Sequence, residues 1–253
     1  MPVDLPPAQS PAFVTMDHFD ETSRVGAEFS YLFPKQDSDG SAMRVEAHGQ
    51  YVDPGSGFGG YIQLPLSIIT GTASDTAIGD LEVGALFIPK LATPNFSLVL
   101  RAGLTLPTAP SLNDSFTGLA GELANPNNLY DYVPKGTSLR LSASPIIRQG
   151  QFFARGDIGF DTNLSADHDV NVESAFHLNV GAGVDLGAAA LMAELVNVKS
   201  LGDNGAWIDE AAISARLMQG AVQPYAALLI PLDDDINNIV SLSLTVGIEG
   251  RIQ

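Results

Sequence analysis

The sequence predicts an all-β fold: a transmembrane, up-and-down antiparallel β-barrel of about twelve strands. Three observations point there. Apolar and polar residues alternate with period two along almost the whole chain, the alternating segments run to about 11 to 14 residues, and the aromatic residues gather near segment ends. Ordinary globular strands peak near ~5 to 6 residues, whereas a tilted strand crossing a bilayer needs ~9 to 11.

The stretch SLVLRAGLTLP, Ser97 to Pro107, shows the pattern. Alternate positions place Leu98, Leu100, Ala102, Leu104 and Leu106 on one face, and Ser97, Val99, Arg101, Gly103 and Thr105 on the other. The same alternation predicts strands at about 22–33, 41–52, 58–70, 78–89, 95–107, 137–147, 150–162, 173–186, 188–198, 207–217, 221–231 and 239–252. Ahead of them, residues 1–21 form a segment with Pro2, Pro6, Pro7 and Pro11, which cannot join a central strand. It is expected on the periplasmic side, either plugging the lumen or left as a disordered tail. Residues 22–253 make up the barrel.

The connections fall into two sets. Tight ones are DPGSG from 53, KLATP from 90, RQG from 148, Gly187 and MQG from 218. Longer, acidic ones are PKQDSDG from 34, GTASDTA from 71, SADHDVN from 165, KSLGDNGA from 199 and LDDDINN from 232. Short turns at one end and long loops at the other are the pattern of an outer-membrane barrel with its chain ends in the periplasm. The longest connection, 108–136, exceeds the usual limit for a structureless loop, so it either folds into the barrel mouth or stays on the surface. In the first case Leu119, Leu123, Leu129, Tyr130 and Tyr132 line an entrance.

Composition agrees. With 45% hydrophobic and 16% charged residues the chain is not disordered, and no run approaches the ~18 apolar residues of a membrane helix. A net charge of -17 excludes nucleic acid as a partner. The absence of cysteine removes disulfides and thiolate metal sites. The opening MPVDLPPAQSPAF lacks a basic and apolar signal region and reads as a mature terminus, the export signal having been removed and Met1 added.

The faces decide what meets lipid. Charged strand residues fall on one face almost without exception, Asp209 being the main departure, and the opposite face is apolar. A soluble barrel or sandwich would also sort this way, but its aromatics belong at mid-strand. Here Tyr31, Phe33, Tyr51, Phe58, Phe87, Phe96, Phe152, Phe160, Phe176 and Trp207 lie on the apolar face near strand ends, as interfacial girdles do. The four lysines fall in connections, while six of the eight arginines sit in strands on the charged face. A confined lumen favours arginine, whose planar fork pairs with several carboxylates. The charged face is therefore expected to look inward.

That reading marks Arg44, Arg101, Arg140, Arg155 and Arg216, opposite Glu46, Asp80, Glu82, Asp157, Glu194 and Glu210, as a lumenal selectivity zone or, the favoured reading for most of them, as ion pairs that satisfy one another and close the barrel. Tyr61, Phe153, Met192 and Tyr225 also point inward and make either an apolar track or packing. No cofactor or metal is expected. The acidic runs DSDG at 37–40, DHD at 167–169 and DDD at 233–235 lack EF-hand spacing and read as solvated loop charge, with calcium or cation bridges to lipopolysaccharide as the alternative. His48 and His177 face inward and His18 and His168 lie outside the strands, but no Gly-x-Ser-x-Gly elbow accompanies them, so catalysis is not expected.

Three stretches carry a family resemblance: IGDLEVGALFIP at 78–89, LVLRAGLTLPTA at 98–109 and QPYAALLIPLDDD at 223–235. In these the chain resembles the bacterial outer-membrane transporters associated with the meta-pathway of phenol degradation. The resemblance implies passive uptake of small solutes, apolar or aromatic ones among them. The ending GIEGRIQ departs from the terminal aromatic residue of many such barrels. The expected protein is thus a monomeric outer-membrane channel in contact with lipid and lipopolysaccharide; a sealed structural or surface-binding barrel is the alternative.

Overall fold

A computed structural model of the chain describes residues 12–16, 18–35, 41–71, 74–109, 115–128, 131–133, 135–165, 174–202, 205 and 207–252. The strands are β1 (Arg24–Pro34), β2 (Ser41–Val52), β3 (Phe58–Thr70), β4 (Asp75–Ile78), β5 (Leu81–Phe87), β6 (Phe96–Leu106) and β7 (Thr137–Gln149). They continue as β8 (Phe152–Ser165), β9 (Ser174–Asp185), β10 (Ala189–Ser200), β11 (Trp207–Leu217), β12 (Val222–Pro231) and β13 (Val240–Arg251). Two helices, α1 (Ser115–Ala124) and α2 (Asp234–Asn237), and a 3-10 turn at Pro126–Asn128 lie in the connections.

Apart from β4 and β5, which both pair with β3, each strand pairs antiparallel with its sequence neighbours, and β1 meets β13 from Arg24 opposite Arg251 to Phe33 opposite Leu242. Because β4 and β5 share one position beside β3, the ring is a closed twelve-strand barrel. Closure leaves no free sheet edge, the condition hydrocarbon imposes on backbone polar groups. The five tight turns and both ends of the described barrel lie at one rim, and the long connections lie at the other.

The faces follow the sequence pattern. Along β12, burial alternates residue by residue, with Gln223, Tyr225, Ala227 and Leu229 inside and Val222, Leu228 and Ile230 outside. The outer wall is a belt of Val, Leu, Ile and Phe, including Ile213 and Phe58, each 60% exposed. Of the ten end-placed aromatics, Phe33, Tyr51, Phe58, Phe152, Phe160 and Trp207 are exposed, and the other four are half-buried. Such a continuous apolar exterior is solvated by lipid and not by water. The architecture is that of a membrane-spanning β-barrel.

Two expectations are corrected, and two that stood open are narrowed. The strand expected at 78–89 is β4 followed by β5, interrupted at Gly79 and Asp80. The register against β3 runs Leu66 opposite Ile78 but Gln63 opposite Glu82, so one extra residue is accommodated there as a bulge. Pro65, which has no N–H to give to a ladder, lies opposite this break, and its carbonyl accepts from Gly79 N at 2.8 Å. Lys199, expected in a connection, lies in β10 with its ammonium 5.4 Å from the Trp207 ring centroid. The connection 108–136 does not stay on the surface: α1 packs against β2 and β3 with Thr117, Ala120 and Ala124 buried. The described part of residues 1–21 is not a loose tail either, since Ala12 to Met16 and His18 to Asp20 are buried.

Candidate functional site

The inward positions of the twelve strands converge on a lumen that two chain segments enter. One is the N-terminal segment from Ala12 to Ser23; the other is the connection carrying α1 and the 3-10 turn. All fifteen residues singled out from the sequence as lumenal are buried: Arg44, Glu46, Asp80, Glu82, Arg101, Arg140, Arg155, Asp157, Glu194, Glu210, Arg216, Tyr61, Phe153, Met192 and Tyr225. The structure does not bring them together as one zone.

Glu194, on β10, holds the N-terminal segment. Its carboxylate accepts from the backbone N–H groups of Val14 at 3.0 Å, Thr15 at 2.8 Å and Met16 at 3.0 Å, and from Thr15 Oγ1 at 2.8 Å and Ser214 Oγ at 3.2 Å. Three successive amide donors around one carboxylate make charge-assisted bonds, roughly twice as strong as neutral ones. Apolar packing completes the hold. Phe13 stands edge-on to Phe153 with centroids 5.6 Å apart, and Phe13, Val14 and Met16 join Met192, Val196 and Tyr225 in one cluster. Phe13 lies over Gly181, where any side chain would overlap its ring.

Further along, Phe19 meets Tyr61 at 4.0 Å between centroids, and the Arg101 guanidinium lies 5.0 Å from both rings. Gly84 and Gly103 leave the space that Tyr61 fills, Gly183 does so for Phe153, and Gly247 for Tyr225. Tyr61, Phe153, Met192 and Tyr225 are thus packed in two separate clusters and do not form a continuous track in this structure.

The second segment is clasped by ions. Asp131 accepts from Arg44 Nη2 at 2.7 Å and Arg140 Nη1 at 3.2 Å. Arg140 also donates to Glu82 at 2.7 Å, Asp161 at 3.1 Å, the Asn127 carbonyl at 2.9 Å and Asn128 Oδ1 at 2.9 Å. Arg44 reaches the Gly121 carbonyl at 3.2 Å and Glu46, and Arg101 pairs with Glu82 at 2.6 Å. Asp80 N donates to the Asp131 carbonyl, and Asp80 Oδ1 accepts from Ala109 N at 2.8 Å, so the β4–β5 break is where the wall takes hold of this connection. Burial pushes the Glu122 carboxyl up to about 8, with Asp131 adding to the rise against the pull of Arg44.

Arg155 pairs within its own strand, with Asp157 at 2.7 Å, and Arg216 pairs with Glu249 at 2.7 Å while lying 4.3 Å from the Tyr225 ring centroid. Among the described residues Asp80 Oδ2 and Glu210 Oε2 have no hydrogen-bond partner, so the expected pairing with arginine across the lumen does not extend to them. Glu249 also takes Arg24 at 2.7 Å.

Several central residues escaped the sequence reading: Asp131 and Asn127 in the connection, Asp20 in the N-terminal segment and Asp161 on β8. Asp161 was accessible in principle, since it shares the parity of Arg155 and Asp157. Asp131 and Asp20 have no strand parity to betray them. Of the acidic runs, 37–40 and 167–169 lie outside the described residues, whereas Asp233 caps α2 by accepting from Ile236 N at 2.8 Å. Leu129 and Tyr130 also lie outside the described residues; Tyr132 is buried against Gly118 and Gly121.

Arg101, Asn127, Arg140, Asp157, Asp161 and His177 line a cavity of about 20 Å³, room for about one water. His177 is held on both ring nitrogens, by Asn127 at 3.2 Å and Asp161 at 3.0 Å.

No family model and no curated protein matches the chain in sequence. Solved structures do match in shape. An outer-membrane channel from Pseudomonas putida F1 superposes with a TM-score of 0.68 at 12% identity, over 96% of this chain and 100% of that one. The KdgM porin, solved with disordered oligogalacturonate, gives 0.57 at 11%, over 91% and 99%. The translocator domain of the autotransporter NalP from Neisseria meningitidis gives 0.54 at 11%, over 94% and 90%. At such identities the likeness is one of fold, and the fold is that of the outer-membrane barrels, channels and porins among them.

Proposed function

We propose that this protein is an outer-membrane channel for passive diffusion of small solutes, held closed in this structure by the N-terminal segment and the 108–136 connection. The supporting observation is how the lumen is filled. It is occupied by two segments that belong to no wall strand and are held there by side-chain anchors, Glu194 for one and Arg44 with Arg140 for the other. A filling of that kind can leave without breaking the barrel. The likeness in fold to a channel and a porin agrees with it.

Once the segments withdraw, the arginine and carboxylate face becomes the selectivity zone, and the inward aromatics offer contact to apolar or aromatic solutes. This agrees with the resemblance to transporters of the phenol meta-pathway. The protein acts as a monomer in lipid and lipopolysaccharide. Catalysis is no part of this reading: both ring nitrogens of His177 lie within hydrogen-bond distance of Asn127 and Asp161, which orient the imidazole in the lumenal network.

Planar-bilayer recordings test the reading. The full chain is expected to pass little current, and a chain lacking residues 1–21 is expected to show discrete openings, larger still when the 108–136 connection is also shortened. Equal, negligible conductance in all three would favour the second reading, a sealed structural barrel, which the dense ion pairing around Arg140 supports.

A further inference from the structure

Where the N-terminal segment meets β2, two buried imidazoles lie face to face. His18 and His48 stack with centroids 4.9 Å apart and 11° between planes. No ring nitrogen of either has a hydrogen-bond partner among the described residues, and neither does Glu46 Oε1. Carboxylates surround the pair at distances longer than hydrogen bonds: Glu28 lies 3.5 Å from His18 Nε2, Glu46 3.6 Å from His48 Nδ1, and Glu249 3.5 Å from His48 Nε2. All five residues are buried. Buried polar atoms without hydrogen bonds are costly, and one ligand shared by the cluster would engage them together.

We infer that His18, Glu46 and His48 form a binding site for a divalent transition cation of the zinc class, which staples the N-terminal segment to the barrel wall. One ligand atom from each residue lies within 4.8 Å of the others. Zinc is bound at ~2.0–2.2 Å by nitrogen and oxygen, so loading the site draws that triangle inward and turns one imidazole out of the stack, each ring offering an in-plane lone pair. Two imidazoles and one carboxylate are the donor set of such cations, whereas calcium and magnesium take oxygen alone. Glu46 is oriented for the task, since Arg44 takes its other oxygen, Oε2, and leaves Oε1 toward His48. Gly26 supplies the space, because a side chain there would overlap His48 Nε2 and Glu249. Two ligands come from β2 and one from the lumenal segment, so the cation spans the boundary that must open.

The inference rests on the plug reading, and its test is separate from that one. Full-length protein, folded in detergent and stripped with chelator, is titrated with Zn²⁺ by calorimetry, with Ca²⁺ as control. One Zn²⁺ per chain is expected, with no comparable Ca²⁺ binding. His18→Ala, which alters no wall strand, should weaken zinc binding by about 100-fold or more, and Glu46→Gln should weaken it as well. His18→Cys, which keeps a ligand atom, should still bind. Absence of saturable zinc binding by the wild type, or equal binding by His18→Ala, overturns the site. Neither result touches the conductance of the chain lacking residues 1–21, by which the plug reading stands or falls.

Discussion

The two segments that fill the lumen are held by different physics. The N-terminal one lies in an apolar cradle around Phe13, with its backbone amides gathered on the single carboxylate of Glu194. The 108–136 connection is gripped by two arginines that must also neutralise Glu46, Glu82 and Asp161. The first contact is largely shape and burial, the second largely charge. The comparison teaches that one lumen can carry two closures of different sensitivity, one to volume and one to ionisation.

The sharpest break is expected at Arg140. Arg140→Ala leaves Glu82, Asp131 and Asp161 buried beside an absent partner, a loss of about 3–5 kcal/mol, measurable as a lower midpoint of unfolding in detergent. The matching change on the other side is Gly181→Leu, which overfills the Phe13 cradle and costs about 1–3 kcal/mol. Here the wall should stay folded while the N-terminal segment is displaced, read as proteolytic cleavage near residues 12–23 and as new conductance. Equal protease resistance in the variant and the wild type would contradict the cradle. Glu194→Gln keeps an acceptor but loses the charge, so a weaker release, about 1–2 kcal/mol, should appear as partial cleavage of the same segment.

The last test reads ionisation through pH. Glu122, on α1, has its carboxyl pushed up to about 8 by burial, above the usual range near ~4.3. A raised carboxyl favours the docked state while protonated. Its contribution is full below the unfolded value and is lost as pH rises toward about 8. The connection should therefore loosen between pH 5 and 9, and conductance should rise over that window. Glu122→Gln should flatten the response.

The barrel was legible because lipid and lumen impose period two on every strand, so ends fell within a few residues and the girdles and inward charges could be read directly. Asp80 was placed correctly inward, yet the strand break beside it went unseen, since Gly79 and Asp80 do not disturb the alternation of Leu81, Glu82 and Val83. The filling was illegible for a different reason. Residues 12–23 and 125–133 have no repeating contact pattern, because their partners are scattered over strands far along the chain, as Thr15 and Glu194 are. The role of Glu194 was hidden likewise: a carboxylate that binds backbone amides looks no different in sequence from one that faces an arginine.

The seam between β1 and β13 joins the first strand to the last, and the residues just before β1 lie inside the ring. The plug is therefore tethered to the hoop by its first stave, so it can swing out through the rim and back while the seam stays fastened.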